Sequence, residues 1–166
     1  MPSESISHAI GSMSLVVVMI LVGAAFAAIG SNSSREAIES QLGDVAEYVA
    51  SETVSILSIL NMTQNTTLIK ELSIPASVGG QGYTIRFETE SGYWVTTARL
   101  DAAPTSQRRA TLPWKSLGEG SIAVVTNGSI PGGQIKEFLY SGASHPAVWC
   151  RRSGSGGVEV GLGVID

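Results

Sequence analysis

The sequence predicts an α+β protein: a long N-terminal helix, first hydrophobic and then amphipathic, followed by a small antiparallel β domain of sandwich-like layout. Three observations carry this. Residues His8 to Gly30 (HAIGSMSLVVVMILVGAAFAAIG) contain no Asp, Glu, Lys or Arg. Beyond them Ile38, Leu42, Val45, Val49, Ile56 and Ile59 recur at a four-three spacing, the period of one helix face. After residue 72, short runs of Val, Ile, Thr and aromatic residues are separated by Gly-Gly, Ser-Gly, Asn-Gly and Pro-Gly, which mark turns between strands.

Taken in order, Ile10 to Ile29 has the length of a helix that crosses a hydrocarbon layer of about 30 Å. Gly11, Gly23 and several Ala and Ser residues lie within it, and small residues of this kind let helices approach closely. Ser31 to Ser34 (Ser-Asn-Ser-Ser) reads either as a loosened turn or as the N-cap of a second helix. The stripe from Ile38 to Ile59 follows, with Glu52 in the place of one apolar member. An unbroken helix from Ser5 to Leu60 is about 80 Å long. Its stripe must pack against the following domain, against copies of the chain, or against both. Residues 1–60 therefore form the helical part, 61–71 a hinge and 72–166 the β domain. Strands are expected at Leu72–Ile74, Tyr83–Thr89, Tyr93–Leu100, Ser121–Thr126, Gln134–Tyr140, Ala147–Arg151 and Val158–Ile165. Glu90-Ser91-Gly92 is the turn of a hairpin. In the last strand Val158, Val160, Leu162 and Val164 alternate with Glu159, Gly161 and Gly163, the mark of a half-buried strand.

Charge excludes some functions. Up to Leu60 one basic residue, Arg35, stands against Glu4, Glu36, Glu39, Asp44, Glu47 and Glu52; the remaining nine basic and eight acidic residues nearly balance. No block of Lys and Arg exists to displace counterions from a phosphate backbone, so a nucleic-acid partner is not expected. No Lys or Arg precedes Arg35, unlike the basic start of a cleaved secretory signal. Although Ala25-Phe26-Ala27 has the small-x-small form of a cleavage site, the span is expected to be retained. Four Asn-x-Ser/Thr triplets, at Asn32, Asn61, Asn65 and Asn127, all follow the span. They are candidate N-glycosylation sites and favour a β domain outside the cell.

Catalytic chemistry is thinly supplied. One cysteine and two histidines, His8 and His145, make no metal set, since a metal site needs three or four ligands. A Cys150–His145 nucleophile pair would have to span four residues of one strand, and Cys150 reads better as a small apolar strand residue. Val78-Gly79-Gly80-Gln81-Gly82-Tyr83 leads into a strand and reads as a tight turn, because a phosphate cradle needs a helix N-terminus. Arg108-Arg109 and Arg151-Arg152 read as charges on exposed strand edges, with contact to an acidic partner as the alternative. The aromatic residues Tyr83, Tyr93, Trp94, Trp114, Tyr140 and Trp149 divide between core and contact surface. No catalytic, cofactor-binding or metal-binding residue is assigned, and neither a cofactor nor an enzymatic activity is expected.

This layout resembles archaeal type IV pilin-like proteins. The leader and span are most similar to archaellum accessory proteins of the FlaF and FlaG kind, whose N-termini read Ser-x-x-Ile-Ser-x-x-Ile; Ser3, Ile6, Ser7 and Ile10 fill those places. LSIPASVGGQGYTIRF, Leu72 to Phe87, is similar to the first hairpin region of other such proteins. The resemblance covers residues 1 to about 60 and the β domain only in layout. It implies a mechanical role at the cell surface. Pilins pack their apolar helices into a filament core with β domains outside, so the partners would be copies of the chain or related subunits. FlaF and FlaG proteins instead tie a motor in the membrane to the surface-layer protein. Processed pilins carry a basic stretch just before the apolar segment; this chain has none, which implies an unprocessed accessory protein or a subunit already trimmed.

Overall fold

Helix α1 runs from Ser3 to Met62. The computed structural model describes residues 3–63, 66–117, 122–154 and 157–166, with side chains from residue 13 onward. The Ser-Asn-Ser-Ser run does not loosen or restart α1. Ser31 Oγ donates to the Ala28 carbonyl at 2.9 Å, as Thr53 Oγ1 does to Val49 at 2.6 Å and Ser58 Oγ to Val54 at 2.9 Å. These hydroxyls are satisfied inside the helix rather than competing with it. By contact the chain divides between Ala37 and Ile38 into two units, because from Ile38 onward the helix buries side chains that the preceding residues leave exposed.

Ten strands follow: β1 (Thr67–Glu71), β2 (Tyr83–Glu90), β3 (Tyr93–Leu100), β4 (Gln107–Lys115), β5 (Ala123–Val124), β6 (Gly128–Ile130), β7 (Gly133–Lys136), β8 (Phe138–Tyr140), β9 (Pro146–Arg152) and β10 (Val158–Ile165). They form two sheets. One has the order β1-β9-β10-β7-β6, with the short β5 beside β10; the other has the order β4-β3-β2-β8. All neighbours are antiparallel except β5 and β10, which run parallel.

Several expectations are corrected here. Residues 61–71 are not a hinge throughout: α1 extends to Met62, and Thr67–Glu71 is a strand whose Leu68 and Ile69 pair with Cys150 and Trp149. Leu72–Ile74 lies after that strand rather than in one. The run Gln134–Tyr140 is two strands, because the chain leaves one sheet at Lys136 and joins the other at Phe138. Of Ser121–Thr126 only Ala123–Val124 is a strand, and Ser121 lies outside the described residues. Strands β4 and β6 fall where none was expected.

The β2–β3 hairpin closes on Ser91 (φ 52°) and Gly92 (φ 82°), the two left-handed positions of a type I′ turn. The core is dominated by one large apolar cluster. Leu42, Val45, Val49, Ile56 and Leu60 of α1 meet Tyr83, Ile85, Leu100, Leu112 and Leu139 of one sheet and Val148, Cys150, Val160 and Leu162 of the other. Strand β10 is not half-buried but covered on both faces between Val160 and Gly163. A side chain at Gly161 would place its Cβ 2.7 Å from the Trp149 ring. The missing side chain admits that indole, which packs with Ile130 and Ile135 in a second, smaller cluster.

Candidate functional site

The helix stripe, for which the following domain and copies of the chain are both candidate partners in the sequence, is mostly spent inside the chain. Leu42, Val45, Val49 and Ile56 are buried in the domain's own core, so they offer nothing to a neighbour. Ile38 is partly buried and seats over Gly79, where any Cβ would lie 2.5 Å from Ile38 Cγ1. Ile59 alone of the six stands out, 47% exposed. The period was right for a buried helix face, but a period does not say what covers the face.

The surface that is unspent lies earlier. Eleven large apolar side chains from Met13 to Ile29 are exposed, among them Leu15, Met19, Ile20, Leu21 and Phe26. No charge interrupts residues 13–30, and the segment is long and apolar enough to cross a membrane. Its small residues have no reason within the chain: a Cβ added at Gly23 or Gly30 meets nothing within 4 Å. Each glycine costs a helix interior about 1 kcal/mol relative to Ala. The leader residues Ser3, Ile6, Ser7, His8 and Ile10 are helical, and their side chains lie outside those described.

The other marked residues separate widely. Cys150 is fully buried, and burial pushes its thiol up to about 11 against a lowering backbone hydrogen bond at Leu68. His145 is exposed in the loop before β9, 2.8 Å through Nδ1 from Glu71 Oε1. A protonated, enclosed thiol and a solvated imidazole bound elsewhere do not form a nucleophile pair. Among the described residues no group of three or more His, Cys, Asp or Glu could hold a metal ion. Asn32 is exposed on α1, Asn61 is exposed in its last turn, and Asn127 is exposed just before β6. Asn65 lies outside the described residues.

The arginine pairs need a partial correction. Arg108 and Arg109 do sit on an edge strand, β4, where they pair with Glu39 at 2.5 Å and Glu90 at 2.6 Å. Arg151 and Arg152 sit on β9, an interior strand. Arg151 pairs with Glu159 at 2.5 Å and stacks 5.3 Å from the Trp149 ring centroid. Arg152 donates to the carbonyls of Leu60 and Thr63 at 2.8 and 3.2 Å. The Gly79-Gly80 turn is confirmed: both have positive φ, and Val78 and Gln81 exchange two backbone hydrogen bonds. Tyr83, Trp114 and Trp149 are core, Trp94 is partly buried, and Tyr93 and Tyr140 are exposed.

Comparison with known proteins found no matching family model, no matching curated protein and no matching solved structure.

Proposed function

We propose that the chain is a structural, pilin-like subunit of a cell-surface filament. It would assemble with copies of itself or related subunits through residues 13–30, with the β domain outside. The observation that carries this reading is a helix segment that is apolar on every side and exposed along its length among the described residues. A helix of that kind is buried somewhere, and each Leu, Ile, Val or Met taken out of water contributes about 1.5–3 kcal/mol. The open space at Gly23 and Gly30 favours neighbouring helices over lipid alone, since close approach is what small residues permit. The resemblance of the overall layout to archaeal type IV pilin-like proteins points the same way, whereas the leader and span by themselves are closer to the accessory proteins of the second reading.

A second reading has its own support. The twenty residues from Ile10 to Ile29 match the thickness of a bilayer, as in a membrane-anchored accessory protein whose β domain binds the surface layer. Peptide mass spectrometry of filaments sheared from source cells separates the two. The filament reading expects this chain as a major component of the sheared fraction, with residues 10–29 present. Complete retention in the membrane fraction would overturn it in favour of the anchor.

A further inference from the structure

We infer that a trough on the outer face of the four-stranded sheet binds an acidic saccharide, a sugar carrying a carboxylate. The register builds the trough. Tyr140 on β8, Thr84 on β2 and Arg99 on β3 lie in one row across three strands, and Phe138, Arg86 and Thr97 form the next row. Tyr140 and Arg99 are thus two strand spacings apart, about 10 Å, with the short, buried Thr84 as the floor between them. Asp101 and Pro104 close one end and Arg86 the other, and Glu137 joins Phe138 and Tyr140 on the β8 side, enclosing about 480 Å³.

The polar groups are fixed and partly unused. Thr84 Oγ1 donates to Asp101 Oδ1 at 2.5 Å. Asp101 Oδ2 leans over Gly82, where a Cβ would be 3.1 Å away. Arg86 is held by Glu88, yet its buried Nε has no hydrogen-bond partner. Among the described residues Arg99 and Glu137 form no ion pair and no side-chain hydrogen bond. Tyr140 is 55% exposed and braced edge-on by Phe138, with ring centroids 5.2 Å apart.

Each feature asks for a different part of one ligand. The Arg99 guanidinium calls for an anionic acceptor, which a carboxylate supplies in the geometry that guanidinium favours. Asp101 Oδ2 and Glu137 call for donors, which sugar hydroxyls supply. The exposed tyrosine ring offers a flat surface to the C–H face of a pyranose. A phosphate offers the tyrosine ring no pyranose face, and an acidic peptide brings neither that face nor hydroxyl donors for the two carboxylates. The trough lies wholly within residues 38–166, and the inference does not depend on what residues 13–30 contact.

The test is calorimetric titration of the full chain, kept in a detergent without a sugar headgroup, with a galacturonate trisaccharide. Parallel titrations use the neutral galactose trisaccharide, inorganic phosphate and an oligoglutamate peptide. Saturable binding of the galacturonate alone, weakened about tenfold or more by Arg99→Ala and also by Tyr140→Ala, which removes the exposed ring, is the expected result. Unchanged thermal melting of each variant keeps a loss of binding from being a loss of fold. No saturable heat with galacturonate, equal binding of phosphate or oligoglutamate, or full affinity in the Arg99→Ala chain would overturn the inference.

Discussion

Arg152 Nη2 lies 2.8 Å from the carbonyl oxygen of Leu60, and so places a guanidinium on the C-terminal end of α1. The helix has no basic residue in its own last turn. Its final carbonyls and the negative end of its dipole are instead met by a strand residue 92 positions later, as a C-terminal cap of foreign origin.

Removing that cap should cost stability without touching the apolar segment. Arg152→Ala is expected to destabilise the domain by about 1–2 kcal/mol, and Arg152→Lys by less, since the charge stays while the fork is lost. Urea unfolding of the full chain in detergent, followed by circular dichroism, measures both. Equal stability of Arg152→Ala and the parent would show that water caps the helix equally well.

The burial of the stripe makes a sharp contrast between two neighbouring positions. Val49 is fully buried while Ser51 faces solvent. Val49→Asp should cost on the order of 4–5 kcal/mol and abolish the folded domain; Ser51→Asp should change stability by less than about 0.5 kcal/mol. A folded Val49→Asp chain that merely fails to assemble would return the stripe to an intermolecular role.

Gly23 distinguishes helix neighbours from lipid. Gly23→Leu adds apolar surface in open space, so a lipid-embedded anchor tolerates or gains from it. In a packed bundle the same change forces helices apart. The filament reading expects loss of assembled particles in electron micrographs, with domain melting unchanged.

Alkali should unfold the protein through two buried acids. Tyr83 donates to the Pro75 carbonyl at 2.6 Å, and burial pushes its pKa from 10.0 up to about 12; Cys150 rises from 9.0 to about 11. In both cases the folded state holds a proton that the unfolded state releases. Their contribution is complete below pH 9 and falls as pH rises, from about 9 to 11 for Cys150 and from about 10 to 12 for Tyr83. Each loss is on the order of 2 kcal/mol. Cys150→Ala should flatten the first part of the fall in a pH series of urea midpoints.

Much of this fold is written locally. The β2–β3 hairpin is legible because Ser91-Gly92 separates two alternating runs by two residues, and β10 because its valines alternate. Strand β4 was hidden by Arg108, Arg109 and Pro113, although Ala110, Leu112 and Trp114 carry a period-two signal and are buried. Strand β1 was lost in a polar neighbourhood that ends one residue before Leu68. What no local pattern contains is the identity of a covering group. The stripe on α1 could equally face a sheet or a sister helix, and the glycine face of β10 reads as open until Trp149 is placed over Gly161. The saccharide trough escaped for the same reason: Tyr140, Thr84 and Arg99 share a row only once strand order is known.

The passage of the chain between sheets at Glu137 has a kinetic corollary. Strands β7 and β8 are ladders of different sheets separated by one residue, so neither sheet can open there without tugging on the other. Amide protons of Ile135 and Leu139 should therefore exchange with solvent through one shared opening event. Hydrogen–deuterium exchange would give the two the same protection and the same urea dependence, as a single breathing unit.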